Sequence, residues 1–260
     1  MIAEIMLKAL KPDAVALNDD DRGLKSVRDP DPRQPEKTNA HIPSTDGNVT
    51  IDRMNSGFGD ERLIFPATQR NRIPIGDVLA KELPASGLIL EIASGSGEHG
   101  VTFQKRFPSL IWQCSDPDPE HCRSIDSWIR HEQLKLKMPP ALQLDIRDTA
   151  LTQQLGEPLQ AIVAINLLHI SAWDCTTALL RQSAALLPNG GTLCVYGPFC
   201  VDGQHVSESN RSFDDSLRQR NPAWGVRDQT AVLKQACEEG LTLQNITLMP
   251  ANNRMITWVR

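Results

Sequence analysis

From about residue 60 onward, short apolar runs alternate with stretches whose apolar residues recur every three to four positions. The runs at Leu88–Ile92, Leu110–Asp116, Ala141–Ile146, Ala161–Ile170 and Thr192–Phe199 predict five strands. Several are continuous rather than alternating, the pattern of strands covered on both faces. Helices are expected near Ile73–Leu83, from the glycine turn after Ile92 to about Phe107, over Pro119–Leu134, over about Ala172–Leu187 and near Thr230–Glu239. Pro74 reads as a first-turn proline, and Pro188-Asn189-Gly190-Gly191 as a stop signal. Two final runs, LTLQNITLM and RMITWVR, flank Pro250–Asn253 and predict a hairpin. The order predicts a Rossmann-like α/β fold, a mostly parallel seven-stranded sheet with helices on both faces and a C-terminal antiparallel hairpin.

Residues 1–59 break this rhythm. Asn18–Arg53 has almost no apolar periodicity and is dominated by Asp, Pro, Arg, Asn and Thr, so it cannot offset its own ordering entropy. It is expected to be a disordered extension; a start at Met54 would leave it outside the protein altogether. Residues 60–260 then form one domain, with the long polar segment 200–227 as a lid or cap. The net charge of -5 and the lack of a basic run argue against a nucleic-acid partner. No apolar run approaches the ~20 residues of a membrane span, and the N-terminus lacks a secretory core, so a cytoplasmic protein is expected. The six cysteines form no CxxC pair and read as reduced structural thiols, and no His/Cys/Asp set has metal-ligand spacing.

The chemistry concentrates in Leu88–Gly100, LILEIASGSGEHG, a strand, a small-residue turn and a helix start. Gly95-Ser-Gly97-Glu-His-Gly100 spells the dinucleotide pattern GxGxxG, with Asp116 roughly where a ribose-binding acid would follow. Glu91, four residues before Gly95, opposes that reading, because a carboxylate repels a pyrophosphate. It would attract the ammonium and sulfonium of S-adenosyl-L-methionine (SAM). The expected cofactor is therefore SAM, with Glu91, Ala93, Gly95, Gly97 and His99 around it. Asp116 would take the ribose, Asp145 the adenine edge, Asn166 the strand-end position and Arg72 a carboxylate. An NAD-dependent oxidoreductase and a non-catalytic SAM-binding protein are the rival readings.

The segments RNRIPI (70–75), LEIASGSGEHG (90–100), WQCSDPDPE (112–120), SIDSWI (124–129), INLLHISAW (165–173), NGGTLCVYGPF (189–199), SESNRSFDDSLRQRNPAWGVRD (207–228) and MPANN (249–253) resemble the domain-of-unknown-function 938 family, the family of methyltransferase-like protein 26. The resemblance spans about residue 60 to the C-terminus and implies a class I methyltransferase fold and SAM binding. It supplies no substrate. Ser96 and Glu98 stand where the family usually has Thr or Gln.

Ligands of such sheets gather outside the carboxyl ends of the strands. That places Asn166, His169 and Tyr196 near a transferable methyl group, acting on a small-molecule substrate. Asn166 would orient the acceptor and His169 would serve as base, or else cap the next helix. Arg72 either pairs with a ligand carboxylate or forms a surface ion pair. Asn210, Asp214 and Arg218 share a helical face that either closes over substrate or forms a structural cap. Trp112, Trp128 and Trp173 read as core. The acceptor atom and the oligomeric state are not legible.

Overall fold

The computed structural model describes residues 52–53, 60–148, 155 and 158–260; the expected N-terminal extension lies almost wholly outside them. In chain order the elements are α1 (Pro66–Glu82), β1 (Gly87–Ile92), α2 (Glu98–Arg106), β2 (Leu110–Asp116), α3 (Pro119–His131), β3 (Leu142–Gln143) and β4 (Leu159–Ile165). They continue with α4 (Trp173–Leu186), β5 (Thr192–Val201), α5 (Glu208–Arg220), α6 (Gln229–Glu238), β6 (Thr242–Met249) and β7 (Asn253–Val259). The strands lie in the spatial order β6-β7-β5-β4-β1-β2-β3. All neighbours are parallel except β7, which runs antiparallel to both β5 and β6. This is the Rossmann-like class I methyltransferase architecture with its closing hairpin.

Alternation along the strands decides what each face receives. Leu88, Leu90 and Ile92 pack with Leu179, Leu180, Val232 and Trp258 in the layer holding α4 and α6. Ile89, Trp112, Cys114, Val163 and Tyr196 turn to the other face, against Ile75, Leu79, Phe103 and Ile125 of α1, α2 and α3. Glu91 lies on this second face by the same period of two, within an otherwise apolar layer.

Four expectations need correction. Helix α1 begins at Pro66, not Ile73, so Arg70–Arg72 lie within it and Pro74 is internal. Thr68, Asn71, Ile75 and Leu79 are its buried positions, and this helical spacing outweighs the proline, whose missing donor falls opposite exposed Arg70. The third strand shrinks to Leu142–Gln143, because an edge strand pairs on one side only; Asp145 sits in the turn beyond it. Segment 200–227 is not a free loop. β5 runs on to Val201, Gln204–His205 pairs back onto it, and Arg227–Asp228 pairs with Phe199–Cys200, so both ends of α5 are tied to the sheet. Trp112 is core, whereas Trp173 is partly exposed beside Arg227 and Trp128 donates from Nε1 to the Leu63 carbonyl.

The six cysteines are free, four of them buried. No helix among the described residues is long and apolar enough to cross a membrane.

Candidate active site

The turn after β1 is built from left-handed backbone: Ala93, Gly95 and Gly97 have φ of 55°, 58° and 91°. A Cβ on Gly97 would lie 2.8 Å from the Ile125 backbone, so α2 and α3 meet there without a side chain between them. Ala93 adopts this conformation without being glycine, a local strain of the kind found at binding sites. Its counterpart on the neighbouring strand end is Asn166, at φ 60°, whose N–H donates to the Tyr196 carbonyl at 2.8 Å. These two residues flank the junction of β1 and β4, where the strand order reverses, the position outside which ligands of such sheets gather.

Asp116 closes the turn from β2. It is buried, and its Oδ2 accepts the Gly95 N–H at 2.9 Å while Oδ1 accepts the Asp118 N–H and His121 Nδ1, each at 3.0 Å. A carboxylate has about four acceptor positions, so these three bonds leave room for one further donor. The Asp116 carboxylate raises the His121 pKa against a smaller opposing effect of burial. The Phe65 ring stands edge-on to His121, 5.8 Å between centroids, and lies over Gly95, where a Cβ would meet it at 2.9 Å. Glu98 holds that arrangement by accepting the Phe65 N–H at 2.9 Å and the Ser96 hydroxyl at 3.2 Å.

Glu91 lies behind the turn rather than in its mouth. It is 1 % exposed, its Oε2 accepts Trp112 Nε1–H at 2.7 Å, and Cys114 Sγ lies at 3.7 Å. Gly100 of α2 leaves the space: a Cβ there would stand 2.2 Å from Cys114 Sγ and 3.1 Å from Glu91 Oε2. Burial pushes the Glu91 carboxyl up to about 7, with the Trp112, Cys114 and Ser94 contacts opposing and Asp116 adding to the rise.

His99, one residue into α2, is buried and stacks on Phe103 with 5.6 Å between centroids. Its Nε2 meets Asn71 Oδ1 of α1 at 2.8 Å, and burial with the nearby Arg72 charge lowers its pKa to about 3. The neutral ring therefore donates from Nε2 to the amide oxygen. Asn71 also faces the Tyr196 hydroxyl, as does Asn253 at the start of β7; burial raises the Tyr196 pKa, so the phenol keeps its proton. Arg72 is half-buried and has no carboxylate within ion-pair distance among the described residues, the nearest charge effect being on Glu98 and His99. Asp145 is turned to Arg147, which donates to both of its oxygens and also reaches Asp174 at 3.4 Å.

His169 lies on the turn after β4, over Gly197 of β5, where a Cβ would come within 3.2 Å of Nδ1. Phe213 of α5 covers it edgewise at 5.5 Å. Burial, reinforced by Arg227 and Arg220, brings its pKa down to about 3, and among the described residues no carboxylate opposes that shift.

The α5 segment clamps this turn. Arg227 donates from Nε to the Leu168 carbonyl at 2.9 Å and from its Nη2 to the carbonyls of Ser171 and Ala223, while the Gly225 N–H donates to the His169 carbonyl at 3.0 Å. Asp214 organises the far side. Its buried carboxylate accepts the Val226 N–H at 2.6 Å and Arg218 Nε at 2.9 Å, with His205 Nε2 at 3.4 Å. Asp214 and Arg218 are thus committed to each other and to the 224–226 loop, whereas Asn210 keeps an amide group without an acceptor among the described residues. Asp214→Ala should cost about 2 kcal/mol, chiefly through the orphaned Val226 N–H. Denaturant unfolding measures that loss, and hydrogen exchange at Val226 should accelerate with it.

Over residues 62–260 the chain matches the protein family described as a protein of unknown function, DUF938. The chain belongs to the DUF938 family. Solved structures share its fold. An O-methyltransferase family protein from Burkholderia thailandensis superposes with a TM-score of 0.64 at 16% identity, over 75% of this chain and 57% of that one. Human N-acetylserotonin methyltransferase, in complex with SAM, gives 0.61 at 13% identity, over 75% of this chain and 52% of that one. PigF with SAH gives 0.61 at 12% identity, over 74% and 56%. The DUF938 chain thus spans between about half and three-fifths of the length of these proteins.

In the DUF938 chain the structure gathers Ala93, Gly95, Gly97, His99, Asp116 and Asn166, with Tyr196 and Arg72, around the strand ends. Glu91 lies one layer beneath them, Asp145 out on Arg147, and Asp214 and Arg218 inside the cap. Sequence reasoning missed His121, Phe65 and Arg227. His121 had one usable signal, its place in the first turn of the helix after Asp116.

Proposed function

We propose that this protein is a SAM-dependent methyltransferase acting on a small molecule. The observation carrying the reading is the pairing of buried Asp116, anchored on the Gly95 N–H, with the ionisable Glu91 behind the same left-handed turn. When bound, SAM supplies a methyl group on a sulfonium centre. The remaining acceptor position of Asp116 suits a ribose hydroxyl, and the Ala93–Gly97 turn lets the backbone approach closely. Glu91 offers a compensating negative charge to a cation, and Arg72, without an ion-pair partner among the described residues, suits the amino-acid carboxylate. The same charge on Glu91 opposes a pyrophosphate, which weighs against an NAD-dependent oxidoreductase.

On the acceptor side, Asn166 is held at the end of β4 and the protonated Tyr196 hydroxyl presents a donor. His169 positions the turn rather than taking a proton, since burial beneath Phe213 holds it neutral. Alignment of the acceptor and exclusion of water are then the chain's main contributions to rate. Incubating the purified full chain with methyl-labelled SAM and a metabolite extract should move label into a small molecule. Bound but untransferred SAM would favour a non-catalytic binding protein, and absence of SAM binding would overturn the reading.

A further inference from the structure

Asp202 and Gly203 close a two-residue hairpin on the end of β5, with φ of 50° and 74°. Left-handed backbone at both positions matches the twist of the flanking strands and fixes the register, with Val201 opposite Gln204 and Cys200 opposite His205. Directly opposed residues of an antiparallel pair point to the same face. Cys200 Sγ and His205 Nδ1 are accordingly 3.2 Å apart. On the far side of the ring, His205 Nε2 lies 3.4 Å from Asp214 Oδ2. Asp214 comes from a third element, the buried face of α5, and the Val226 N–H and Arg218 hold its carboxylate in place.

These contacts assign the tautomer. A carboxylate only accepts, so the neutral ring keeps its proton on Nε2 and turns the Nδ1 lone pair towards sulfur. The thiol therefore donates to Nδ1. A nucleophile within reach of a base, with that base oriented by a third group, is the arrangement that activates a weak nucleophile. Burial, with the Asp214 and Asp228 charges, raises the Cys200 pKa, while Arg218 and Arg211 oppose the rise. The resting sulfur is thus a thiol, and at the moment of attack its proton has His205 to go to.

The thiol is covered thinly. Cys114 and Cys194 are 0 % exposed, whereas Cys200 keeps 7 %. Gln204 and Val206, on either side of His205, are exposed, and a Cβ on Gly203 would meet nothing within 4 Å. Cys200 therefore lies beneath one short hairpin arm, within reach of a water-sized reagent. Among the described residues no other cysteine has an imidazole within hydrogen-bond distance.

We propose that Cys200, His205 and Asp214 form a peroxide-reactive site at the foot of the cap, in which His205 accepts the thiol proton as sulfur attacks hydrogen peroxide. The S–H proton passes to Nδ1 while a sulfur lone pair forms an S–O bond to one peroxide oxygen and the O–O bond breaks. The departing hydroxide takes the proton from Nδ1 and leaves as water. Sulfur loses two electrons and the peroxide gains them, so thiol and peroxide become sulfenic acid and water. The step uses no cofactor and is independent of the methyltransferase reading.

The test exposes the full chain to hydrogen peroxide for set times, stops the reaction with catalase and denatures the chain in dimedone and iodoacetamide. Dimedone caps sulfenic acids, iodoacetamide caps the remaining thiols, and peptide mass spectrometry reads each cysteine. Cys200 is expected to oxidise about tenfold faster than Cys237, although Cys237 is exposed. His205→Gln should slow Cys200 about a hundredfold and leave the other cysteines unchanged. Asp214→Asn, which keeps an oxygen for the Val226 N–H, should slow it about tenfold. A loosened fold would expose Cys200 and speed its oxidation, so a slower reaction cannot come from a folding defect. Between about pH 7 and 8.5 the parent rate should change little, because thiol with imidazole and thiolate with imidazolium hold the same number of protons. In His205→Gln the rate should instead climb about tenfold per pH unit, as for an ordinary thiol below its pKa. Cys200 oxidising no faster than Cys237, or undiminished in His205→Gln, would overturn the proposal.

Discussion

Glu91→Gln should stabilise the cofactor-free protein at pH 9 by about 3 kcal/mol while weakening its hold on SAM. The sign follows from burial. In the unfolded chain this carboxyl titrates near its ordinary value of 4.5, and in the folded protein near 7. The folded state therefore suffers no charging penalty below about pH 4.5. The penalty grows between about pH 4.5 and about pH 7 and is constant above that, reaching about 3 kcal/mol. Glutamine keeps an oxygen for Trp112 Nε1–H and escapes the penalty, so the variant and parent should be nearly equal at pH 4.5 and diverge upward. Chemical denaturation at several pH values measures the divergence. The functional cost is specific: SAM affinity should fall about tenfold and S-adenosylhomocysteine (SAH) affinity less, because only SAM carries the sulfonium charge. Retaining a group that costs stability is the mark of a residue kept for binding.

Asp116→Asn should reduce SAM and SAH affinity together, by about a hundredfold. The carboxylate accepts from Gly95, Asp118 and His121 at once, and each bond to a charged acceptor is worth about 1.5–3 kcal/mol. An asparagine offers one oxygen in place of two and turns an NH2 group towards one of these donors. The Ala93–Gly97 turn would then loosen, and with it the proposed cofactor and ribose contacts. Isothermal titration with SAH reads the affinity. The His121 titration gives a second check, since its raised pKa depends chiefly on this carboxylate and should fall towards 6.5 in the variant. The stability His121 draws from the pair is present below its unfolded pKa and is lost as pH rises through the raised folded value.

The strand positions, the mostly parallel sheet and the closing hairpin are legible in the sequence because they rest on long apolar runs with clear punctuation, whereas the spatial order of the strands follows only from the fold. Leu88–Ile92, Ala161–Ile165 and Thr192–Phe199 are buried throughout, and no alternative period competes with them. Short-range chemistry was harder to read. The start of α1 hides in Ala67–Arg72, whose side chains are mostly polar, and its internal Pro74 mimics a first-turn proline. The two-residue strands at Gln204–His205 and Arg227–Asp228 have no period at all, yet they turn an apparent lid into a clamped cap. The charges of Asp214 and Arg218 share a helical face, as expected, but the Val226 N–H that claims Asp214 lies twelve residues away, beyond the reach of helical spacing. Glu91 was recognised as the distinguishing charge. Its depth was not, because the opening that Gly100 makes for Cys114 and the carboxylate depends on how closely α2 approaches the sheet. His169 shows the same limit: its position at the strand end follows from the sequence, and its enclosure by Phe213 follows only from the fold.

On the proposed function, the left-handed turn with Asp116 and Glu91 receives a cationic adenosyl cofactor rather than a dinucleotide. Calorimetric titration of the full chain with SAM and, separately, with NADH tests it most directly. SAM should bind saturably at a single site, weakened by Asp116→Asn and by Glu91→Gln, with no heat from NADH. NADH binding in place of SAM, or no SAM binding at high micromolar concentration, would contradict it.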